Sequence, residues 1–163
     1  MKIGLLIVDM QNAFLQDQRE KMNVESACEH INHVANLLRS NNHCVIHIQD
    51  IEGAENLDSS PLLDIIPEIV VDHSDIRITK EESNAFWNTE LEQTLIKQDI
   101  SLVIVAGFAA EHCVLFTYNG ARERGFKAVI LQNGILSTKS DAISTTYRDR
   151  NIVSYPVVEF LVK

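Results

Sequence analysis

Residues 3–9 read Ile-Gly-Leu-Leu-Ile-Val-Asp, an apolar run that ends abruptly at a carboxylate. Two further runs have the same form: Cys44 to Ile48 precedes Asp50, and Leu102 to Ala106 precedes Gly107. Continuous apolar, β-branched runs of this length are typical of strands that are buried on both faces of a parallel sheet. Three weaker strand candidates raise the predicted count to six: Asp75 to Thr79, Lys127 to Leu131, and a segment near Ile152 to Tyr155.

Amphipathic helices are predicted between these strands. Apolar residues recur at three- and four-residue spacing from Val24 to Leu38, with Asn23 as the predicted N-cap. Three more helices are predicted from capping-box spacing or a closing glycine: one after Thr89 and Glu92, one from Cys113 to Arg124 before Gly125, and one from Thr138 and Asp141 to about Tyr147. The segment Pro156 to Lys163 is open between strand and helix, and Glu52 to Pro61 between a short flap and a solvated turn.

Alternation of strands and helices predicts the fold class. It indicates an α/β protein, a Rossmann-like three-layer α/β/α sandwich around a six-stranded, mostly parallel sheet. The chain has only three prolines and no internal repeat or low-complexity linker, so residues 1–163 are predicted to form a single domain. Ligands of such sheets bind beyond the carboxyl ends of the strands. Candidate functional residues are therefore those that directly follow a strand.

Composition narrows the range of partners. The formal charge of −9 repels phosphate backbones and anionic lipids, so we expect no nucleic-acid partner and no membrane partner. The amino-terminal segment lacks the pattern of a signal peptide, and no apolar stretch reaches the roughly 18 residues of a membrane span. Three widely spaced cysteines argue against a disulfide framework, with Cys28 and Cys44 predicted to be core residues. We therefore expect a cytoplasmic protein.

Three reactive side chains follow predicted strands. Asp9 ends the first strand, Lys80 ends the third, and Cys113 follows the fourth after a short loop. Because these positions share one edge of a parallel sheet, we expect the three side chains to meet there. Distant residues that converge in this way are typical of a catalytic site.

The chemistry expected of this trio is that of a thiol hydrolase. Cys113 would open a helix, and the helix dipole together with the Lys80 ammonium would lower the pKa of its thiol below the free value of about 8.5. Asp9 would accept the thiol proton and later deliver it to a leaving amine. The small residues before Cys113, in the loop Gly107-Phe108-Ala109-Ala110-Glu111-His112, would let backbone N–H groups form an oxyanion hole.

Three segments carry a resemblance to a known family: LLIVDMQNAF (5–14), RITKEESNAFWNTEL (77–91) and VAGFAAEHCV (105–114). In order and spacing they resemble the three motif blocks of the isochorismatase-like cysteine hydrolase superfamily, which includes nicotinamidases, carbamoylsarcosine amidases and isochorismatases. The resemblance spans nearly the whole chain. It implies a six-stranded α/β/α sandwich, a catalytic triad on Asp9, Lys80 and Cys113, and association into a dimer or larger homo-oligomer.

The resemblance also assigns residues around the nucleophile. It implies a non-proline cis peptide between Phe108 and Ala109, and an oxyanion hole made by the N–H groups of Ala109 and Cys113. It places Phe14 in the substrate pocket. Four more residues within the motif blocks are pocket candidates, of which the two aromatic ones are equally consistent with the core: Gln11, Phe86, Trp87 and His112. A Cys-His dyad of His112 with Cys113 is disfavoured, because neighbours at a helix start point in different directions.

Departures from the family pattern bear on the reaction. Nicotinamidases carry an Asp-x-His metal pair after the second strand, whereas this chain reads Gln49-Asp50-Ile51-Glu52-Gly53, so neither a metal nor another cofactor is expected. True isochorismatases typically lack the cysteine, and Cys113 therefore favours hydrolysis of a C–N bond in a small amide or carbamoyl compound. Two alternatives stay open: vinyl-ether hydrolysis with Asp9 as the acid, and a non-catalytic member that binds a small ligand.

Overall fold

Strands and helices alternate along the chain in the computed structural model, which describes residues 1–55, 58 and 60–163. The described elements are β1 (Lys2–Val8), α1 (Asn12–Leu15), α2 (Val24–Ser40), β2 (Cys44–Asp50), a 3₁₀ helix (Pro61–Leu63), β3 (Ile76–Lys80), α3 (Leu91–Lys97), β4 (Ile100–Phe108), α4 (Cys113–Glu123), β5 (Lys127–Leu136), α5 (Ala142–Asp149), β6 (Ile152–Val153) and α6 (Tyr155–Leu161). Each predicted strand is present, with bounds that differ by a few residues. The predicted flap or turn from Glu52 to Pro61 includes positions 56, 57 and 59, which lie outside the described residues.

The strands form one six-stranded sheet in the order β3-β2-β1-β4-β5-β6. Every neighbouring pair in this sheet is parallel. The predicted fold class, a three-layer α/β sandwich around a mostly parallel sheet, is confirmed. Because the chain moves outward from β1 through β2 to β3 and then returns to the other side of β1, the order reverses between β1 and β4, the position where open α/β sheets bind ligands.

Helices cover both faces of the sheet, which explains why β1 is apolar at almost every position. Ile3, Leu5 and Ile7 belong to the core under α2 and α6. Leu6 and Val8 point to the opposite core, under α3, α4 and α5. Successive residues of a strand face opposite sides, so a strand between two helical layers needs apolar side chains on both.

The helix starts depart from the predicted capping boxes. Residue Glu90, not Thr89, is the N-cap of α3, while the Thr89 hydroxyl donates to the Ala85 carbonyl and accepts the Leu91 N–H at 3.3 Å. At α5 the N-cap is Asp141, which makes no side-chain cap hydrogen bond. Because the Thr89 hydroxyl bonds within the turn before the helix, Thr89 and Glu92 do not form the capping box that their spacing predicted. The undecided C-terminal tail is a helix, α6.

The carboxyl end of β1 makes an unusually close approach to β4. Gly107 pairs with Val8 and has φ +112. A Cβ atom at this position would lie 2.1 Å from the Val8 carbonyl oxygen, so only glycine fits. This approach sets the start of the nucleophile loop beside the end of β1. Among the described residues, no helix has both the length and the apolar character of a membrane span.

Candidate active site

Asp9 marks the turn at the end of β1. Its backbone takes the left-handed conformation, with φ 52, which aspartate adopts more readily than most residues. Its N–H donates to the Ile48 carbonyl at 3.0 Å, which ties the turn to β2. The residue is 1% exposed, so the carboxylate is held inside the edge of the sheet rather than in solvent.

Lys80 brings the three predicted residues together. It is the last residue of β3, and its side chain is fully buried. Its Nζ lies 3.1 Å from Asp9 Oδ2 and 3.5 Å from the Cys113 sulfur. A carboxylate oxygen of Asp9 lies within 4.8 Å of that sulfur. The predicted convergence of Asp9, Lys80 and Cys113 is therefore present as a geometry.

A fourth residue, Asp50, belongs to the same cluster, a position that was not predicted from the sequence. Its Oδ2 lies 2.7 Å from Lys80 Nζ, closer than either of the other two partners. Asp50 ends β2 and pairs in register with Lys80, the residue that ends β3. The signal was present in the sequence, because Asp50 follows a predicted strand just as Asp9 does. The spacing of the strands alone did not show that it would point at Lys80.

Burial dominates the electrostatics of Asp9. It raises the pKa of the carboxyl from 3.8 to about 6, against the opposing effects of the Lys80 ammonium and the Cys113 thiol. Asp50 adds a smaller upward effect through like-charge repulsion. Asp9 Oδ1 is buried and has no hydrogen-bond partner among the residues that the structure describes. A carboxylate in this state is well suited to accept a proton near neutral pH.

The thiol does not behave as predicted. Burial, reinforced by the Asp9 carboxylate, raises the pKa of Cys113 to about 12, and the Lys80 ammonium only partly offsets this. The sulfur does lie at the first residue of α4, as predicted. The expectation of a lowered thiol pKa is nevertheless wrong, because it counted Lys80 and the helix end but neither desolvation nor the carboxylate. The resting site holds a neutral thiol beside an ionised Asp9.

Lys80 stays charged in this setting. Burial alone would lower the pKa of its ammonium, but Asp9, Cys113 and Asp50 outweigh burial and raise it above 10.5. A buried cation with two carboxylate partners is the arrangement in which a desolvated charge is tolerated. The cluster therefore has a permanently positive centre.

The loop between β4 and α4 presents backbone N–H groups near the sulfur. The peptide bond between Phe108 and Ala109 is cis, as the resemblance implies. The Ala110 N–H donates to the Leu136 carbonyl at 2.8 Å and is thus engaged within the fold. In contrast, the N–H groups of Ala109 and Cys113 have no backbone acceptor among the described residues. These two donors are free to bind a substrate oxygen.

The pocket candidates fall into different surroundings. Phe14 is half-buried and stacks on Phe108, with ring centroids 5.7 Å apart. Trp87 is 57% exposed and lines an open cavity beside Lys80. His112 is exposed immediately before the helix that Cys113 opens. Phe14, Trp87 and His112 are therefore at least partly accessible to solvent.

Two of the pocket candidates are structural. Phe86 is 4% exposed and packs in the core against Phe126. Gln11 is fully buried, and its amide is occupied by backbone: Nε2 donates to the carbonyls of Asp50 and Leu63, and Oε1 accepts the Asp50 N–H. Gln11 therefore fastens β1 to the end of β2 and has no group left for a ligand. Both side chains turn into the fold, and for Phe86 this is the core position that the sequence had left open beside the pocket.

A metal ion does not fit this cluster. Asp9, Asp50 and Cys113 have ligand-type atoms within 4.8 Å of one another, but the Lys80 ammonium already contacts all three residues. The positions after Asp50 are Ile51 and Glu52, so the imidazole that zinc favours is missing from the donor set. Lys80 supplies the positive charge that a metal would otherwise bring.

This chain is similar to known proteins both in sequence and in fold. The isochorismatase domain model matches residues 4–151. The isochorismatase family protein YaaI of Bacillus subtilis is 30% identical over 149 residues, which cover 85% of this chain and 82% of that protein. Two crystal structures at lower identity share the fold. N-carbamoylsarcosine amidase from Thermoplasma acidophilum has a TM-score of 0.77 at 19% identity, covering 91% of this chain and 92% of its own. Pyrazinamidase of Pyrococcus horikoshii, in complex with zinc, has a TM-score of 0.81 at 17% identity, covering 94% of this chain and 99% of its own. By its match over residues 4–151, this chain belongs to the isochorismatase domain family.

Proposed function

We propose that this protein is a metal-independent cysteine hydrolase that cleaves a C–N bond in a small amide or carbamoyl compound. The observation that carries the proposal is the contact of one buried ammonium, Lys80, with both Asp9 and the Cys113 sulfur. The family membership supports hydrolysis. The amidases among the proteins of similar fold support an amide as the substrate.

The raised pKa of the thiol determines the order of events. Because Cys113 rests as a neutral thiol, its proton would pass to Asp9 while the sulfur attacks the substrate carbonyl. The S–C bond forms as the carbonyl electron pair moves to oxygen, which the N–H groups of Ala109 and Cys113 would stabilise. Lys80 would hold the ionised Asp9 in place before the transfer.

The remaining steps of the reaction release the amine, hydrolyse the thioester and return the enzyme to its starting state. Collapse of the tetrahedral intermediate expels the amine, which takes the proton from Asp9 and leaves an acyl-Cys113 thioester. A water molecule then attacks the thioester and gives a proton to Asp9. The acid leaves as the Cys113 sulfur takes that proton back. Atoms and charge balance over the cycle, and Asp9 acts once as base and once as acid in each half.

The test is a panel of small amides, carbamoyl compounds and ureides, with released ammonia as the readout. Wild type should turn over at least one of them, and Cys113→Ala should abolish that turnover. Cys44→Ala is the matched control, because Cys44 lies at the start of β2, on the opposite edge of the sheet. Absence of turnover by the wild type across the panel would refute the proposal.

A vinyl-ether hydrolase is the second candidate, and the pKa of Asp9 favours it. A carboxyl whose pKa is about 6 can donate a proton near neutral pH, which protonation of a vinyl ether requires. In that case Cys113→Ala would leave most of the activity, whereas Asp9→Asn would remove it. A non-catalytic ligand-binding role would show neither activity.

The expected homo-oligomeric state rests on the family resemblance alone, and the expected cytoplasmic location rests on the sequence. We propose that copies of this chain associate into a dimer or larger assembly. Light scattering of the purified protein measures the mass directly, and a monomer at micromolar concentration would refute the proposal. The cytoplasmic location stays a prediction.

A further inference from the structure

Hydrogen bonds to its backbone and to one carboxylate oxygen hold Asp50 in place. Its backbone N–H donates to Gln11 Oε1 at 2.8 Å, and its carbonyl accepts from Gln11 Nε2 at 3.0 Å. Its Oδ1 accepts the Glu52 N–H at 2.8 Å. The side chain is 14% exposed. The remaining carboxylate oxygen, Oδ2, therefore points from a fixed base in one direction, toward Lys80.

The ammonium of Lys80 has three N–H groups and, among the residues that the structure describes, three partners. An ammonium donates three hydrogen bonds and accepts none. The partners of Nζ are Asp50 Oδ2 at 2.7 Å, Asp9 Oδ2 at 3.1 Å and the Cys113 sulfur at 3.5 Å. The shortest contact is to Asp50, the one partner to which the proposed reaction assigns no chemistry. Asp50 thus fills the third site of the ammonium and leaves the other two N–H groups for Asp9 and Cys113.

We propose that Asp50 is a positioning residue of this site, whose carboxylate anchors the Lys80 ammonium so that its other two N–H groups are directed at Asp9 and at the Cys113 sulfur. This inference rests on the proposed function, because it assigns Lys80 its part in the same C–N hydrolysis. The catalytic residues themselves remain Asp9, Lys80 and Cys113.

The negative charge of Asp50 also affects the pKa of Asp9. Within the described part of the chain, the titratable or charged groups that act on Asp9 are Lys80 from β3, Asp50 from β2 and Cys113 from α4. Lys80 stabilises the ionised form of Asp9, and Asp50 weakens that stabilisation. Removing the charge of Asp50 would leave Lys80 to act on Asp9 alone. The pKa of Asp9 would therefore fall. The acidic limb, by which we mean the low-pH side of a pH–rate profile where the rate rises as Asp9 ionises, would move to lower pH.

The experiment measures this limb with two independent readouts. The first is the pH dependence of kcat on whichever amide the panel identifies. The second is the rate of Cys113 alkylation by iodoacetamide against pH, read by peptide mass spectrometry, which separates Cys113 from the other two cysteines. Alkylation needs Asp9 to accept the thiol proton, so in wild type the rate should rise through about pH 6.

Three variants distinguish anchoring of Lys80 by Asp50 from a general effect of removing one negative charge from the protein. Asp50→Asn keeps the shape and removes the charge. We expect kcat to fall about 10- to 100-fold with little change in KM, and both acidic limbs to move down by about one pH unit. Asp50→Glu restores the charge and should return the limbs toward pH 6. Asp99→Asn makes the same change of net charge at the opposite edge of the sheet, where Asp99 is exposed, and should leave both limbs in place.

Several results would overturn the proposal. One is an Asp50→Asn variant with wild-type kcat and an unmoved limb. Another is a variant that loses thermal stability while both limbs stay at the wild-type position, since that would make Asp50 a structural residue only. If wild type turns over no amide, the proposed function fails, and the alkylation limb still decides whether Asp50 acts through Lys80 on Asp9.

Discussion

Replacement of Asp9 by asparagine should change how the stability of the protein depends on pH. In the folded protein burial raises the pKa of this carboxyl from 3.8 to about 6. Between these two values the folded protein keeps a proton on Asp9 that the unfolded chain has released. Folding stability therefore falls as pH rises through this window. The difference between the two pKa values corresponds to about 3 kcal/mol of the free energy of unfolding, which is lost by about pH 7.

Asp9→Asn removes this titration while preserving the size of the side chain. The free energy of unfolding of the variant, relative to wild type, should therefore rise by about 3 kcal/mol between about pH 4 and about pH 7. Urea unfolding followed by circular dichroism at closely spaced pH values measures both proteins. The difference between them cancels the other titrating groups to first order, because those groups are present in both chains.

A matched control is Cys113→Ala, which retains the Asp9 carboxyl. Because the thiol lowers the pKa of Asp9, its removal should preserve the pH dependence or increase it. A flat difference between Asp9→Asn and wild type, or one of opposite sign, would refute the reasoning. Asp9 would then not be a desolvated carboxylate, and the assignment of the proton acceptor would lose its physical basis.

Three further predictions concern Gly107, Gln11 and Cys28. Gly107→Ala should lower the free energy of unfolding in urea by at least about 3 kcal/mol, because its Cβ would lie 2.1 Å from the Val8 carbonyl oxygen. A variant as stable as wild type would contradict that close approach. Gln11→Leu should cost about 3 kcal/mol, since three backbone hydrogen bonds are lost inside the fold; a melting temperature equal to that of wild type would show that the amide is dispensable. Cys28 is 2% exposed and its pKa is raised to about 12, so it should resist iodoacetamide in the native protein and react in urea. Native modification of Cys28 would count against the burial of α2 on the sheet.

The pattern of apolar residues predicted the fold because that pattern shows on which faces each strand must be buried. The run from Ile3 to Val8 is apolar on both faces, and that pattern is stable only between two helical layers. Helix starts were less predictable. Thr89 has capping-box spacing with Glu92, yet its hydroxyl serves the preceding turn. Such competition between nearby backbone groups is settled by the path of the chain, which residue spacing does not describe.

The candidate pocket residues differ in the direction in which their side chains point. Phe86 and Trp87 are adjacent in the same motif block, but one packs in the core and the other is 57% exposed. Gln11 was a candidate for the pocket, and its amide hydrogen-bonds the backbone at the end of a neighbouring strand. Which way a side chain turns at the end of a strand depends on the neighbouring elements, so the motif identified the region and not the role of each residue.

The sequence by itself determined which residues reach one edge of the sheet. Strand ends are set by where apolar runs stop, and parallel strands bring those ends together. The sequence alone could therefore place Asp9 and Lys80 at one edge, with Cys113 just beyond a strand at that same edge. Only the tertiary structure decided the charge state at that edge. Desolvation and the carboxylate partners of a buried group depend on distances of a few ångströms across the fold, and those distances keep the thiol neutral and place Asp50 against Lys80.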